Sequence, residues 1–144
     1  MAAGGKITVK TKVGASMDEV WDSYVNPDDI TKWNFASDDW HCPSAAVDLR
    51  VGGTFTSRME SRDGKAGFDF SGRYSAVVRH RRIEYEMEDG RRVEVLFRGW
   101  EDGVEVEVTF DAENVYSPEK QEEGWRAILD NFRRYVEGSR AAKS

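Results

Sequence analysis

Between Ala45 and Phe110 the apolar residues fall at every second position in six successive segments, and all but one of the breaks between segments carry a glycine. Val47, Leu49 and Val51 lead to Gly52-Gly53, and Phe55, Ser57 and Met59 lead to a loop with Asp63-Gly64. A longer run follows at Phe68, Phe70, Gly72, Tyr74, Ala76 and Val78, then Ile83, Tyr85 and Met87. Asp89-Gly90 separates these from Val93, Val95 and Phe97, and Asp102-Gly103 precedes Val104, Val106, Val108 and Phe110. A period of two places alternate side chains on opposite faces, so each segment is expected as a β-strand. Each Asp-Gly is expected as a type I′ hairpin loop, because glycine accepts positive φ without steric cost. The intervening positions hold Asp69, Arg73, Glu84, Glu86, Glu94, Arg98, Glu105 and Glu107. The pattern predicts an antiparallel sheet with one face in water.

The other face needs a cover, and the end of the chain supplies one. From Ser117 to Glu137, Trp125, Ile128, Leu129, Phe132 and Val136 recur at helical spacing with charged residues opposite. Ser117 is the expected N-cap, Pro118 the first helical position, and Gly138 after Arg133 and Arg134 the expected end. Gly124 inside this helix costs about 1 kcal/mol relative to alanine. It marks either close packing of helix on sheet or space for a ligand walled by Trp125.

Ahead of the meander, Ile7, Val9, Thr11 and Val13 read as a first strand within Lys6–Val13. Ser16 with Glu19 forms a capping box that opens a short helix bearing Val20, Trp21, Tyr24 and Val25. Asn26-Pro27 ends it and starts a second short helix carrying Ile30 and Trp33. The segment Asn34 to Ser44, NFASDDWHCPS, has no clear period, and its aromatics, Cys42 and His41 make it a candidate for a site.

A chain of 144 residues suits one domain, with an ordered core expected over about 6–138. No apolar run is long enough to span a bilayer, and MAAGG lacks the regions of a secretory signal. With a single cysteine the chain reads as cytoplasmic. A net charge of -6 argues against nucleic acid as a partner. The basic run Arg79, His80, Arg81, Arg82 reads as a solvated turn. Five tryptophans, five tyrosines and seven phenylalanines supply bulky walls for a core or a cavity.

The order of elements, one strand, two short helices, six strands and one long helix, resembles the helix-grip fold of the START and polyketide-cyclase (SRPBCC) superfamily. WNFASDDWHCP at Trp33 to Pro43, DLRVGGTF at Asp48 to Phe55, GFDFSGRY at Gly67 to Tyr74 and GWRAILDNF at Gly124 to Phe132 are similar to bacterial stand-alone members of one branch. That branch is named for the activator of the heat-shock protein ninety ATPase. The resemblance implies a curved sheet wrapped around the last helix, with a cavity between them that in relatives holds apolar or amphipathic small molecules. It supplies no catalytic motif. The eukaryotic co-chaperones that gave the branch its name carry a further amino-terminal domain with no counterpart in this sequence.

Candidate chemistry is sparse. His41, Cys42 and His80 are too few for a structural metal site and lack ligand spacing, so no metal or cofactor is expected. Gly52-Gly53 lies between two strands and forms no phosphate loop. Ser57, Tyr74 and Tyr85 are polar groups among apolar walls, which fits either a ligand site or a satisfied core; Tyr74 is weighted toward the core. His41 titrates near neutrality and is a candidate acid or base at the cavity mouth beside Trp40, while Trp33 reads as a core plug.

The expectation is therefore an α+β helix-grip domain with a seven-stranded antiparallel sheet, a long C-terminal helix, and two short helices after the first strand. Its expected function is binding of a small apolar or amphipathic molecule, in a monomer or homodimer, without membrane. The expected ligand-binding residues are Trp40, His41, Phe55, Ser57, Met59, Phe68, Phe70, Tyr85, Met87, Phe97, Trp125 and Leu129. Two alternatives stand beside it: a small cyclase- or hydrolase-type enzyme using His41 or Tyr85, and a module that binds a chaperone through an acidic outer sheet face.

Overall fold

A computed structural model describes residues 5–113 and 116–143, with the side chains of all of these except 139–143. The order is β1 (Lys6–Val13), α1 (Met17–Val25), α2 (Pro27–Trp33), β2 (Trp40–Val47), β3 (Thr54–Ser61), β4 (Gly67–Val78), β5 (Arg82–Met87), β6 (Arg92–Trp100), β7 (Gly103–Asp111) and α3 (Pro118–Lys143). The seven strands form one antiparallel sheet in the order β1-β7-β6-β5-β4-β3-β2. Strands β2 to β7 are a simple meander. The pair α1 and α2 carries the chain from β1 at one edge to β2 at the other, and the sheet curls around α3 as a half-barrel.

The expected helix starts are present in atomic detail. The Ser16 and Glu19 side chains satisfy each other's backbone N–H groups as a full capping box. Asn26 accepts from the Asp28 N–H at 2.9 Å to cap α2, and Ser117 Oγ accepts from Lys120 N at 3.2 Å to cap α3. Gly138 does not end α3, which runs 26 residues to Lys143. At roughly 1.5 Å per residue that is about 39 Å. A lone glycine costs only about 1 kcal/mol, and the Arg140, Ala141, Ala142, Lys143 stretch that follows consists of good helix formers.

Three further expectations need correcting. None of Asp63, Asp89 or Asp102 takes positive φ, so the Asp-Gly loops are not type I′ turns, which need two left-handed residues. In the β5–β6 loop Gly90 N bonds to Met87 O and Met87 N bonds to Arg91 O, a three-residue loop with Gly90 alone at φ 89°. The segment expected to be irregular becomes edge strand β2 from Trp40 onward, paired with β3 and bulged between His41 and Ser44. Pro43 in the bulge has no N–H to give to a ladder, which a sheet edge tolerates and which hides the period. Leu49 and Val51 then fall outside the strand, and Val51 is 62% exposed. Lastly, a Cβ built on Gly124 would meet no atom within 4 Å, so the glycine marks no close approach of helix and sheet.

The two halves of the sheet differ in what fills them. On the β1, β7, β6 side small valines face inward, with Val9 opposite Val108, Val108 opposite Val95 and Val13 opposite Val104. All are buried, as are Leu129, Phe132 and Val136 of α3. Full burial of such a side chain stabilises by about 1.5–3 kcal/mol. Among the strands, α3 approaches β1 most extensively. The β2 to β5 side carries Phe55, Met59, Tyr74, Tyr85 and Met87 instead, and there the helix stands off.

Side chains fix α3 in that position. Glu137 Oε2 accepts from Gly14 N at 2.9 Å, and Asn131 Nδ2 donates to Phe35 O at 2.6 Å. Buried Gln121 donates to Glu113 O at 3.1 Å and Tyr116 O at 2.7 Å while accepting from Glu113 N at 2.8 Å. Tyr135 donates a short hydrogen bond to Asp29 of α2.

Candidate ligand cavity

Where α3 stands off the sheet a cavity of about 280 Å³ remains. Strands β3, β4 and β5 supply one wall through Phe55, Ser57, Met59, Phe68, Phe70, Tyr74, Ile83, Tyr85 and Met87. Helix α3 supplies the other through Trp125, Ile128 and Leu129, and α1 and α2 close one end with Tyr24, Val25, Ile30, Trp33 and Asn34. Val47 and Val108 complete the apolar lining, with Arg91 and Glu113 as its charged members. Phe68 lines the cavity and is still 51% exposed, which places the mouth beside it.

The walls are built of interlocked rings. Phe55 sits centrally, 4.7 Å from Tyr85, 5.4 Å from Tyr74 and 5.6 Å from Phe70 between ring centroids. Trp125 stacks on Phe110 at 4.3 Å and 16° while meeting Phe70 edge-on at 6.3 Å. At the closed end Tyr24 touches Trp33, Phe97 and Phe132 at 5.1, 5.5 and 5.2 Å. Edge-to-face and offset contacts of this kind hold rings in place beyond their area of burial.

Polar groups are few, and apart from Asn34 and Ser57 they fall into two sets. Tyr24, Tyr74 and Tyr85 all line the cavity; among the described residues their hydroxyls have no hydrogen-bond partner, and none is a fully buried atom. Burial pushes all three phenols well above their ordinary range, and each is raised further by a neighbouring negative charge. For Tyr24 that charge would be Tyr74, for Tyr85 it would be Tyr24 and Tyr74, and for Tyr74 it is Asp48. The hydroxyls thus stay protonated throughout the physiological range and are available as donors. The second set is Arg91, held by Asp89 at 2.7 Å and facing Glu113 at 3.5 Å. Burial works against the Asp89 carboxylate, but hydrogen bonds and charge from Arg91 outweigh it and hold the group below the usual carboxylate range.

Of the expected ligand-binding residues, Phe55, Ser57, Met59, Phe68, Phe70, Tyr85, Met87, Trp125 and Leu129 meet around this space. Trp40, His41 and Phe97 do not line it. Trp40 touches the lining from outside, its ring 5.8 Å from that of Phe68. His41 is partly exposed on the neighbouring strand, its Nε2 4.0 Å from a Glu60 oxygen. Phe97 packs beneath α1 against Trp21 and Tyr24. Buried Cys42 lies beside Ser57; burial pushes its thiol up, and contacts with Ser57 and Ser44 offset part of that rise.

Tyr24, Arg91 and Glu113 line the cavity although the sequence does not single them out, and Tyr74 lines it although its pattern weights it toward the core. Tyr24 belongs to the apolar face of a short helix, while Arg91 and Glu113 meet only because β6 and β7 bring distant positions together. The basic run turns out to be the β4–β5 hairpin, where His80 takes φ 67° and its Nε2 lies 2.8 Å from Asp18 of α1.

A half-barrel closed over one long helix, with an aromatic cavity between, defines a helix-grip protein of the START type. Residues 14–137 match the profile of the family described as Activator of Hsp90 ATPase homolog 1-like protein, and the chain belongs to that family. The solution structure of the AHSA1-like protein from Aeromonas hydrophila is similar, with 44% identity over 93% of each chain and a TM-score of 0.88. A protein of Cytophaga hutchinsonii is 41% identical over 96% of each chain with a TM-score of 0.81. A protein of Nitrosomonas europaea shares the fold at 18% identity and a TM-score of 0.81, over 98% of this chain and 99% of its own. No curated protein matches the chain. No helix among the described residues is long and apolar enough to cross a membrane.

Proposed function

We propose that this protein binds a small apolar or amphipathic molecule between the sheet and α3. The observation that carries the reading is the aromatic cavity of about 280 Å³ opening beside half-exposed Phe68. Native packing leaves few voids larger than a water molecule, and a dry apolar cavity of roughly 150 Å³ is enough to hold benzene. The space is also defended against collapse, because Gln121, Asn131 and Glu137 fix the helix at separate points along its length. A few polar groups inside an otherwise apolar wall are the usual composition of a small-molecule site.

The test is direct. Native mass spectrometry of the purified protein, solvent extraction of what co-purifies, and a screen of lipids and aromatic compounds should reveal a retained or added ligand. An interior that stays empty and closed in all three overturns the reading.

Two other activities are weaker. Catalysis by His41 lacks access to the cavity, and Tyr85 is a protonated donor unsuited to act as a base near neutral pH. Binding to a chaperone rests on the family's name. The outer sheet face is not uniformly acidic: Arg82 pairs with Glu84 and Glu94, and Arg98 with Glu105 and Glu107. A mixed lattice of this kind gives little long-range attraction for a basic partner.

A further inference from the structure

Three tyrosines of the cavity lining pose a question that packing alone does not answer. Tyr74 and Tyr85 are each only 7% exposed, their rings lie 6.5 Å apart, and neither hydroxyl has a partner among the described residues. Tyr24, partly buried, approaches from α1 and also has no hydrogen-bond partner for its hydroxyl among the described residues. Each hydroxyl is therefore a donor that no protein acceptor uses, on a residue that lines one shared cavity. Phenylalanine would fill the same walls, so what tyrosine adds at these three positions is a donor for whatever occupies that cavity.

The charge around them narrows what that is. The charged groups in the lining are Arg91 and Glu113, and the Arg91 guanidinium already faces Asp89 and Glu113, one cation against two carboxylates. An ionised carboxylate entering here would lose its hydration and find that cation matched. A neutral carbonyl oxygen asks less: it accepts hydrogen bonds, and the phenols have only donors to offer it that are otherwise unused.

Building on the cavity-binding reading, we propose that Tyr24, Tyr74 and Tyr85 form a hydrogen-bonding subsite for the carbonyl oxygen of a neutral, otherwise apolar ring compound. The ketone end sits against the three hydroxyls, and the hydrocarbon lies along Phe55 and Phe70 toward the mouth at Phe68. Tyrosine, unlike a charged donor, discriminates here for a neutral acceptor and against an acid of similar shape.

The experiment compares 1-tetralone with tetralin, the same bicyclic skeleton with and without one carbonyl, by NMR titration of isotope-labelled protein. Tyr74→Phe, Tyr85→Phe and Tyr24→Phe should each weaken 1-tetralone about 3- to 10-fold. Tetralin affinity should stay the same in all three, which also verifies that each variant keeps its fold and cavity. If 1-tetralone loses nothing on substitution, or both compounds weaken equally, the hydroxyl subsite is overturned while the cavity reading stands. If neither compound shifts cavity resonances in the unsubstituted protein, the cavity reading falls and takes the subsite with it.

Discussion

A Cβ on Gly72 would stand 2.7 Å from Cε1 of the Phe55 ring and 3.1 Å from Glu86 O. The two residues pair across β3 and β4, so the missing side chain is what lets Phe55 lie flat over the neighbouring strand. Gly72→Ala should push that ring toward the cavity and cost about 1–3 kcal/mol, the range for overpacking a filled site. Urea denaturation reads the loss, and a parallel ligand titration should show weaker binding because the ring moves into the ligand's space. Gly124 makes the opposite case. With nothing within 4 Å of its absent Cβ, it incurs the entropic cost of glycine in a helix and gains no packing in return. Gly124→Ala should raise stability by about 0.5–1 kcal/mol with no change in fold, visible as a higher urea midpoint at unchanged slope. A loss of stability would mean that some neighbour needs that space.

A few polar side chains, besides the apolar stripe, set the position of α3. Buried Gln121 joins the segment after β7 to the first turn of α3 through three partly buried hydrogen bonds. Gln121→Ala should cost about 1–3 kcal/mol, since it leaves carbonyls and an N–H without partners. Because Glu113 and Trp125 flank the cavity, amide exchange near Trp125 should quicken in the same variant; unchanged exchange there would separate Gln121 from the cavity wall. This dependence explains which parts of the site the sequence announces. The inward faces of β3 and β5 to β7 are readable because burial on one side forces alternation, and that is how Phe55, Ser57, Tyr85 and Met87 declare themselves. Edge strand β2 is not, because Pro43 and its bulge break the period in the one place where local pattern was the only guide. The cavity itself has no local signal at all. It arises from α3 leaning toward β1, a choice made by contacts as distant as Gly14 with Glu137 and Phe35 with Asn131. Phe97 shows the consequence, since it shares the inward face of β6 with Val93 and Val95 but lies under α1, away from the ligand space.

The three tyrosines of the cavity lining also shape how the folded state responds to pH. Tyrosine ionises near 10.0 when exposed; burial first raises all three above that, followed by repulsion from neighbouring phenols for Tyr24 and Tyr85 and from Asp48 for Tyr74. Below pH 10 the phenols are protonated in both folded and unfolded chains and exert no pH dependence. As pH rises past 10 the unfolded chain releases protons that the folded chain retains, so stability falls with pH across the window between the unfolded and folded values. Each fully buried tyrosine contributes up to about 1.4 kcal/mol per pH unit in that window. Urea unfolding of the unsubstituted protein should therefore weaken steeply between pH 10 and 11 relative to pH 8, and Tyr85→Phe should make that limb shallower while leaving the pH 8 value equal or higher. An equal slope in the two proteins would mean that Tyr85 ionises as readily when folded as when unfolded, and so that water already reaches its hydroxyl. A neutral acceptor bound at the hydroxyls requires their protonated form, which the folded protein keeps across this window. Adding 1-tetralone should therefore raise stability by the same amount at pH 8 and on the alkaline limb without changing its slope, and should raise that of Tyr85→Phe by less. A gain that faded between pH 10 and 11 would mean that the folded phenols ionise there.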